Sequence, residues 1–310
     1  MILVGDLGGT HTRLALAQTG SWTLDRIVRY DNRDYPDFAA LLAAYLPPDQ
    51  TIDRACIAVA GPTDGRCVRF TNLDWSIDAD QLATRFRIAS VRLINDFAAV
   101  GWGLNVLTAP DLATLQPGTP QHQAPRLALG AGTGLGVSLC VWQDGLYRPL
   151  ASEGGHIGFA PADSLQDRLL VFLRRMHGRV SVERLLSGPG IADLYAFCRT
   201  ESGFDEVHEL APMAISQAAL AKTDRTAVQA LDLFAAILGQ VAGDLALLAQ
   251  AAGGVYIAGG IAPQILPILQ GEAFLAGFHA KGRYRQWMSG LPVQVVTAPD
   301  IGLKGAAVAA

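Results

Sequence analysis

The chain has 310 residues, 50% of them hydrophobic and 17% charged, with a formal net charge of −4. That is globular composition, rich enough in apolar residues for one large core or two adjoining ones, and the length suits two domains. No Lys/Arg run interrupts the slightly acidic balance, which leaves no footprint for nucleic acid. Four cysteines (Cys56, Cys67, Cys140 and Cys198) are scattered without a C-x-x-C pair, so neither a zinc site nor a disulfide framework is indicated. The chain opens on an apolar strand pattern, Met-Ile-Leu-Val, without the basic segment and apolar helix of a signal peptide. The most apolar stretch, 227–262, contains Asp232, Gln240, Asp244 and Gln250 and reads as a buried helix followed by a strand, not a membrane span. A soluble, cytoplasmic protein with no membrane partner is expected.

Strand patterns dominate the first third. Residues 2–5 and 13–17 flank a Gly-rich turn, 24–30 alternate, and 55–60 form a buried run ending at Gly61-Pro62. Residues 38–46 have helical spacing up to Pro47-Pro48. Residues 76–78 look like a helix start leading into 79–86, and the strand 91–94 runs into Asn95-Asp96 at a strand-to-helix junction. Four prolines and little periodicity over 107–125 predict a domain junction. The expected division is therefore a small α/β lobe, 1–106, and a larger lobe, 107–297, mostly helical in its second half. Strands are predicted over 126–129, 135–142, 255–258 and 293–296, and helices over 164–176, 190–199, 213–220, 226–251 and 302–309. The terminal segment, about 298–310, would pack most easily back on the first lobe. A weak repeat links 3–16 (LVGDLGGTHTRLAL) to 127–139 (LALGAGTGLGVSL), both strand, Gly-rich turn with threonine, strand.

Several segments could carry chemistry. In Gly5-Asp6-Leu7-Gly8-Gly9-Thr10, adjacent glycines let backbone amides approach a phosphate, and Asp6 could hold Mg²⁺ directly or through water; a tight hairpin turn explains the loop equally well. No P-loop pattern occurs in the chain. Gly130, Gly132, Gly134 and Gly136 alternate through the second loop, around Thr133, and close approach to a ligand explains such glycines better than packing does. Asn95-Asp96 lies where α/β folds gather ligands, at the carboxyl end of a strand, yet either residue could simply cap the following helix. Ser152-Glu153-Gly154-Gly155-His156-Ile157-Gly158 brings a carboxylate and an imidazole together around two glycines. With no G-x-S-x-G elbow and no third metal ligand nearby, hydrogen bonding to a polyol suits it better than hydrolysis or metal binding. Glu183 looks like an exposed helix residue, and Gly259-Gly260 either admits an adenine ring or makes a strand-to-helix turn.

Taken in order, VGDLGGTHTRLALA, IAVAGPTDG with TNLDW, LINDFAAVGWG, LGAGTGLGVSL, SEGGHIGFAP, ERLLSGPGIADLY and VYIAGGIAP resemble the bacterial ATP-dependent glucokinase family, from residue 3 to about residue 263. The resemblance implies a two-lobed α/β fold of the actin/hexokinase (ribonuclease H-like) type with the ligand cleft between its lobes. It implies phosphoryl transfer from ATP, with Mg²⁺, to the 6-hydroxyl of glucose, giving glucose 6-phosphate for glycolysis. It places Asn95, Asp96, Glu153, His156 and Glu183 on the sugar, with Asp96 as base. It places Gly5, Asp6, Leu7, Gly8, Gly9 and Thr10, with Gly132, Thr133 and Gly134, on the phosphates, and Gly259 and Gly260 on the adenosine. A homodimer is implied too. The related repressor/kinase group carries a zinc-binding Cys cluster that has no counterpart here. His11-Thr12 and Gly158 depart from the family pattern at positions where they would tune phosphate or sugar contacts. Three alternatives remain open: a hexose kinase of broader specificity, a sugar- and ATP-responsive regulator without turnover, and an Hsp70/actin-type ATPase. A regulator would need a DNA-binding module, for which a first strand beginning at residue 2 leaves no room at the N-terminus.

Overall fold

The first Gly-rich hairpin forms where the apolar runs place it. In the computed structural model, β1 (Ile2–Leu7) and β2 (His11–Ala17) are antiparallel, Leu7 opposite Thr12. The structure describes all residues except 21, 48, 49, 62, 71, 72, 151 and 205–209. The expected breaks at Pro48 and Pro62, and Thr71-Asn72 of the TNLDW segment, lie outside the described residues. Strand β3 (Leu24–Asp31) continues the sheet antiparallel to β2, and β4 (Arg54–Val59) adds to the other side of β1 in parallel. Residues 76–78 lead into the expected helix 79–86, with Asp78 as its N-cap, but themselves form a strand. Cys67–Arg69 (β5) and Ser76–Asp78 (β6) pair as a small hairpin that buries Ile77, and the helix begins one residue later, where the Asp78 side chain accepts from the amides of Asp80 and Gln81. Strand β7 (Ser90–Asn95) pairs in parallel with β4, giving the order β3-β2-β1-β4-β7.

The second sheet repeats this plan. The 107–125 stretch contains a strand, β8 (Leu112–Gln116), because its prolines fall outside that five-residue window. After it come β9 (Arg126–Ala131), β10 (Leu135–Gln143), β11 (Leu146–Leu150), β12 (Val255–Ala258) and β13 (Val293–Val296). The order is β11-β10-β9-β12-β13-β8, with β9–β10 antiparallel and β9–β12 and β12–β13 parallel. Apart from β8, it matches the first sheet strand for strand, and the hairpins β1–β2 and β9–β10 hold corresponding places. The weak sequence repeat is therefore the trace of a duplicated topology.

Packing divides the chain into two compact units: residues 1–109 with 142–151 and 298–310, and residues 110–141 with 152–297. The expected second lobe, 107–297, thus loses 142–151 to the first unit. The physical link is Asn105, which donates to the Tyr147 carbonyl and accepts from the Tyr147 amide, both at 2.8 Å. In the first unit the C-terminal helix Ile301–Ala309 buries Leu303, Ala306 and Ala307 against Ile2, Val4, Ala58 and Ile94. In the second, the helix Arg225–Ala249 is long and apolar enough to cross a membrane, but 72% of its most apolar window is buried among neighbouring helices of its own unit. One of those, Glu272–His279, has no counterpart among the helices predicted from the sequence.

Candidate functional site

The register of the first sheet positions the candidate residues of the first unit. Leu7 aligns with Val59, and Val59 with Asn95, so β1, β4 and β7 end level at their carboxyl ends. The Gly8–Thr10 turn and the Asn95-Asp96 junction both leave from that edge, the usual ligand edge of a parallel sheet. Of the two junction residues, it is Asn95 that caps the following helix, its Oδ1 accepting from the amides of Phe97 and Ala98 at 2.9 and 3.1 Å. Asp96 is the first residue of the helix Asp96–Gly103, where the helix dipole favours a negative charge, and its Oδ1 accepts from the Phe97 amide at 2.8 Å. The helix is fixed by close contact with Ile301–Ala309. A Cβ at Gly305 would lie 1.7 Å from the Ala99 carbonyl oxygen, so glycine is required there.

The turn between β1 and β2 is closed by the Gly8 amide donating to the His11 carbonyl at 3.0 Å. Among the described residues the amides of Gly9 and Thr10 meet no acceptor. A Cβ at Gly9 would meet nothing within 4 Å, and one at Gly8 only the His11 carbonyl oxygen at 3.4 Å. Nothing in the folded chain therefore demands glycine at Gly9. Asp6, on β1, is paired with Arg13 directly across the hairpin, and Arg13 also donates to the Pro299 carbonyl at 2.6 Å. The guanidinium holds Asp6 Oδ2, which leaves Oδ1 for a cation. Among the described residues no group of three or more His, Cys, Asp or Glu side chains could hold a metal ion unaided. The single carboxylate suits Mg²⁺ carried in with substrate phosphates and water.

In the second unit a further set of loops stands out. Gly130 aligns with Ala258, so the loops after β9 and β12, Gly132–Gly134 and Gly259-Gly260, emerge side by side. The alternating glycines of the second loop, 130–136, are only partly explained by a ligand. A Cβ at Gly130 would lie 2.3 Å from the Ala258 carbonyl oxygen, and one at Gly134 would lie 2.5 Å from Glu183 Oε2, so both serve packing. Gly259 needs a positive φ of 82° and sits against the Ala131 carbonyl. Gly132 and Gly260 have no such reason, since a Cβ on either would meet nothing within 4 Å. Among the described residues the amides of Thr133 and Gly134 have no acceptor, as in the first loop. The Gly132 carbonyl is held by the Gly188 amide at 2.8 Å.

Glu153, His156 and Glu183 converge. His156 Nε2 is 4.0 Å from Glu153 Oε2, and its Nδ1 is 3.9 Å from Glu183 Oε1. The side chains are 61%, 59% and 32% exposed respectively, open to a ligand. Glu183 is not an exposed helix residue. It lies in the short 3₁₀ turn Val182–Arg184, and its Oε2 accepts from the Leu135 amide at 3.0 Å, fastening this carboxylate to the end of the second glycine loop. Gly155 is needed because a Cβ would lie 2.1 Å from the Leu135 carbonyl oxygen. Arg179, which no sequence pattern singles out, donates to the His156 carbonyl at 2.8 Å, and the Val182 amide donates to Ile157 at 2.9 Å. Arg13 was legible in principle, because a short hairpin turn puts it opposite Asp6; Arg179 had no local signal.

Two sheets of matching order, each with a glycine turn of unclaimed amides and level strand ends, define the actin-like class of sugar kinases. A glucokinase family model matches residues 3–310, and the chain belongs to the glucokinase family. It is 40% identical to the glucokinase of Nostoc punctiforme over 336 residues, covering 100% of this chain and 98% of that one. Its fold is similar to the crystal structure of a glucokinase from an Antarctic psychrotroph, with a TM-score of 0.89, 34% identity and coverage of 99% and 98%. A glucokinase of the ROK family from Streptomyces griseus, solved with glucose and AMPPNP, shares the fold at a TM-score of 0.68 and 20% identity, over 99% of each chain.

Proposed function

We propose that this protein transfers the γ-phosphoryl group of ATP to the 6-hydroxyl of glucose, releasing ADP and glucose 6-phosphate. The observation that carries the reading is the pair of glycine turns in which, among the described residues, the amides of Gly9, Thr10, Thr133 and Gly134 lack acceptors and Gly9 and Gly132 have no packing reason to be glycine. Backbone amides at such turns form anion nests, and phosphoryl transfer relies on positioning and charge neutralisation more than on a nucleophilic side chain. Gly8–Thr10 and Gly132–Gly134 hold the phosphates, and Gly259-Gly260 lies along the adenosine. Asp96 accepts the hydrogen of the 6-hydroxyl and takes its proton as the oxygen–phosphorus bond forms, later giving it to water. Asn95 directs its Nδ2 to a neighbouring hydroxyl, its Oδ1 being committed to the helix. Glu153 and Glu183 accept from sugar hydroxyls, and His156 donates or accepts. Asp6 would hold Mg²⁺, which neutralises phosphate charge when bound. The glucokinase from Streptomyces griseus supports the pairing of sugar and nucleotide, since the same fold there holds glucose and an ATP analogue. We place the protein in the cytoplasm, as a homodimer.

A coupled assay for ADP with a panel of hexoses tests the reading. ADP release only with sugar, strongest with glucose, is expected. Release without sugar would make the protein an ATPase, and none at all would make it a regulator. Analogues lacking one hydroxyl should react poorly, because each strands a polar partner in the bound complex, at about 1–3 kcal/mol apiece. Glu183→Ala should raise the glucose KM by about tenfold or more, the loss of one charge-assisted hydrogen bond. An unchanged KM removes Glu183 from the sugar shell.

A further inference from the structure

Thr12 departs from the family pattern yet cannot touch a ligand, because it is fully buried, as is Asn32 at 1% exposure. Buried polar side chains are costly unless bonded, and these two spend their polar atoms on each other and on one loop. Thr12 Oγ1 donates to Asn32 Oδ1 at 2.7 Å, and Asn32 Nδ2 donates to the Gly8 carbonyl at 2.8 Å. The Asn32 backbone amide donates to the Thr10 carbonyl at 2.9 Å.

We infer that the Thr12–Asn32 pair is a positioning device that sets the direction of the Gly9 amide for phosphate binding. In a planar trans peptide the carbonyl and the following N–H point in opposite directions. Holding the Gly8 carbonyl against Asn32 therefore turns the Gly9 N–H away from the protein interior, where it meets no acceptor among the described residues. Two adjacent glycines have the freest backbone available, so without this anchor the Gly8–Gly9 peptide could rotate and the nest would lose its aim. Thr12 fixes the Asn32 amide group in the orientation that presents Nδ2 to Gly8.

The inference rests on the reading of Gly8–Thr10 as a phosphate loop. Its test is Asn32→Ala and Thr12→Val, with Thr12→Ser as the conservative control. The readouts are KM for ATP, KM for glucose, and AMPPNP affinity by calorimetry. Both disruptive variants should weaken ATP and AMPPNP by about tenfold, the worth of one well-placed hydrogen bond to charge, while the glucose KM stays within about twofold. Thr12→Ser should behave as the parent. Equal losses for both substrates, or no loss for ATP, overturn the inference. If Asn32→Ala does not fold, Thr12→Val alone decides, since it keeps the volume and removes only the donor. A parent protein that fails to bind AMPPNP at all would instead sink the phosphate-loop reading itself.

Discussion

Replacing Asp96 with asparagine should abolish nearly all turnover while leaving glucose bound. The change keeps size and shape at the first position of the helix Asp96–Gly103 and retains an oxygen to accept from the Phe97 amide, and the cap belongs to Asn95, so the loss of one charge at the helix N-terminus costs at most about 1 kcal/mol and the local fold is retained. What is lost is the carboxylate proposed as the base. General-base assistance is worth about 10²–10⁴-fold in rate, and kcat should fall within that range. Calorimetry should find glucose affinity nearly unchanged, and the coupled assay should find almost no ADP. Retained turnover would strip Asp96 of its role. The neighbouring residue gives a useful contrast. Asn95→Ala removes two capping bonds at a cost of about 1 kcal/mol in stability and also moves Asp96, so its kinetic effect would mix the two causes.

Much of this was legible in the sequence, for identifiable reasons. The hairpin β1–β2 and the strands β4, β7 and β9 are apolar runs ended by glycine or by polar pairs, and such runs can hardly fold otherwise. The duplicated sheet order was foreshadowed by a repeat of only a few residues, because topology is kept by strand ends and turns, not by the residues between. The small hairpin β5–β6 and the strand β8 were not legible. Each strand is three to five residues long, too short for periodicity to show, and β8 is in addition stabilised by a partner far along the chain. β8 pairs with β13, and its Gln116 side chain donates to the carbonyls of Met288 and Leu291. The site divides in the same way. Asn95 and Asp96 sit at a strand-to-helix junction, and Glu153 and His156 flank paired glycines, patterns that the sequence itself displays. Glu183 looked like a surface residue until its bond to the Leu135 amide was visible, and Asn32 and Arg179 act through backbone carbonyls that no sequence pattern reveals.

The glycines of the second loop give the sharpest separation between folding and function, because two of them should respond to alanine with opposite signs. Gly130→Ala forces a Cβ to within 2.3 Å of the Ala258 carbonyl oxygen, at the last pair of the β9–β12 register. The strands must move apart, and overpacking of that kind costs about 1–3 kcal/mol, so the melting temperature should fall. Gly132→Ala meets nothing within 4 Å, and Gly132 is not among the positive-φ glycines. In the free protein it should be neutral or stabilising by about 0.4–1 kcal/mol, through the lost freedom of the unfolded chain. With nucleotide the outcome reverses. The new methyl group occupies the space in which the phosphate would approach the Thr133 and Gly134 amides, and each charge-assisted bond lost is worth about 1.5–3 kcal/mol. ATP affinity should therefore drop by about ten- to a hundredfold, since every 1.4 kcal/mol is a factor of ten. A Gly132→Ala protein that melts no lower than the parent yet binds AMPPNP weakly would show that this glycine is kept for the ligand. One that binds normally would mean that the phosphates lie elsewhere.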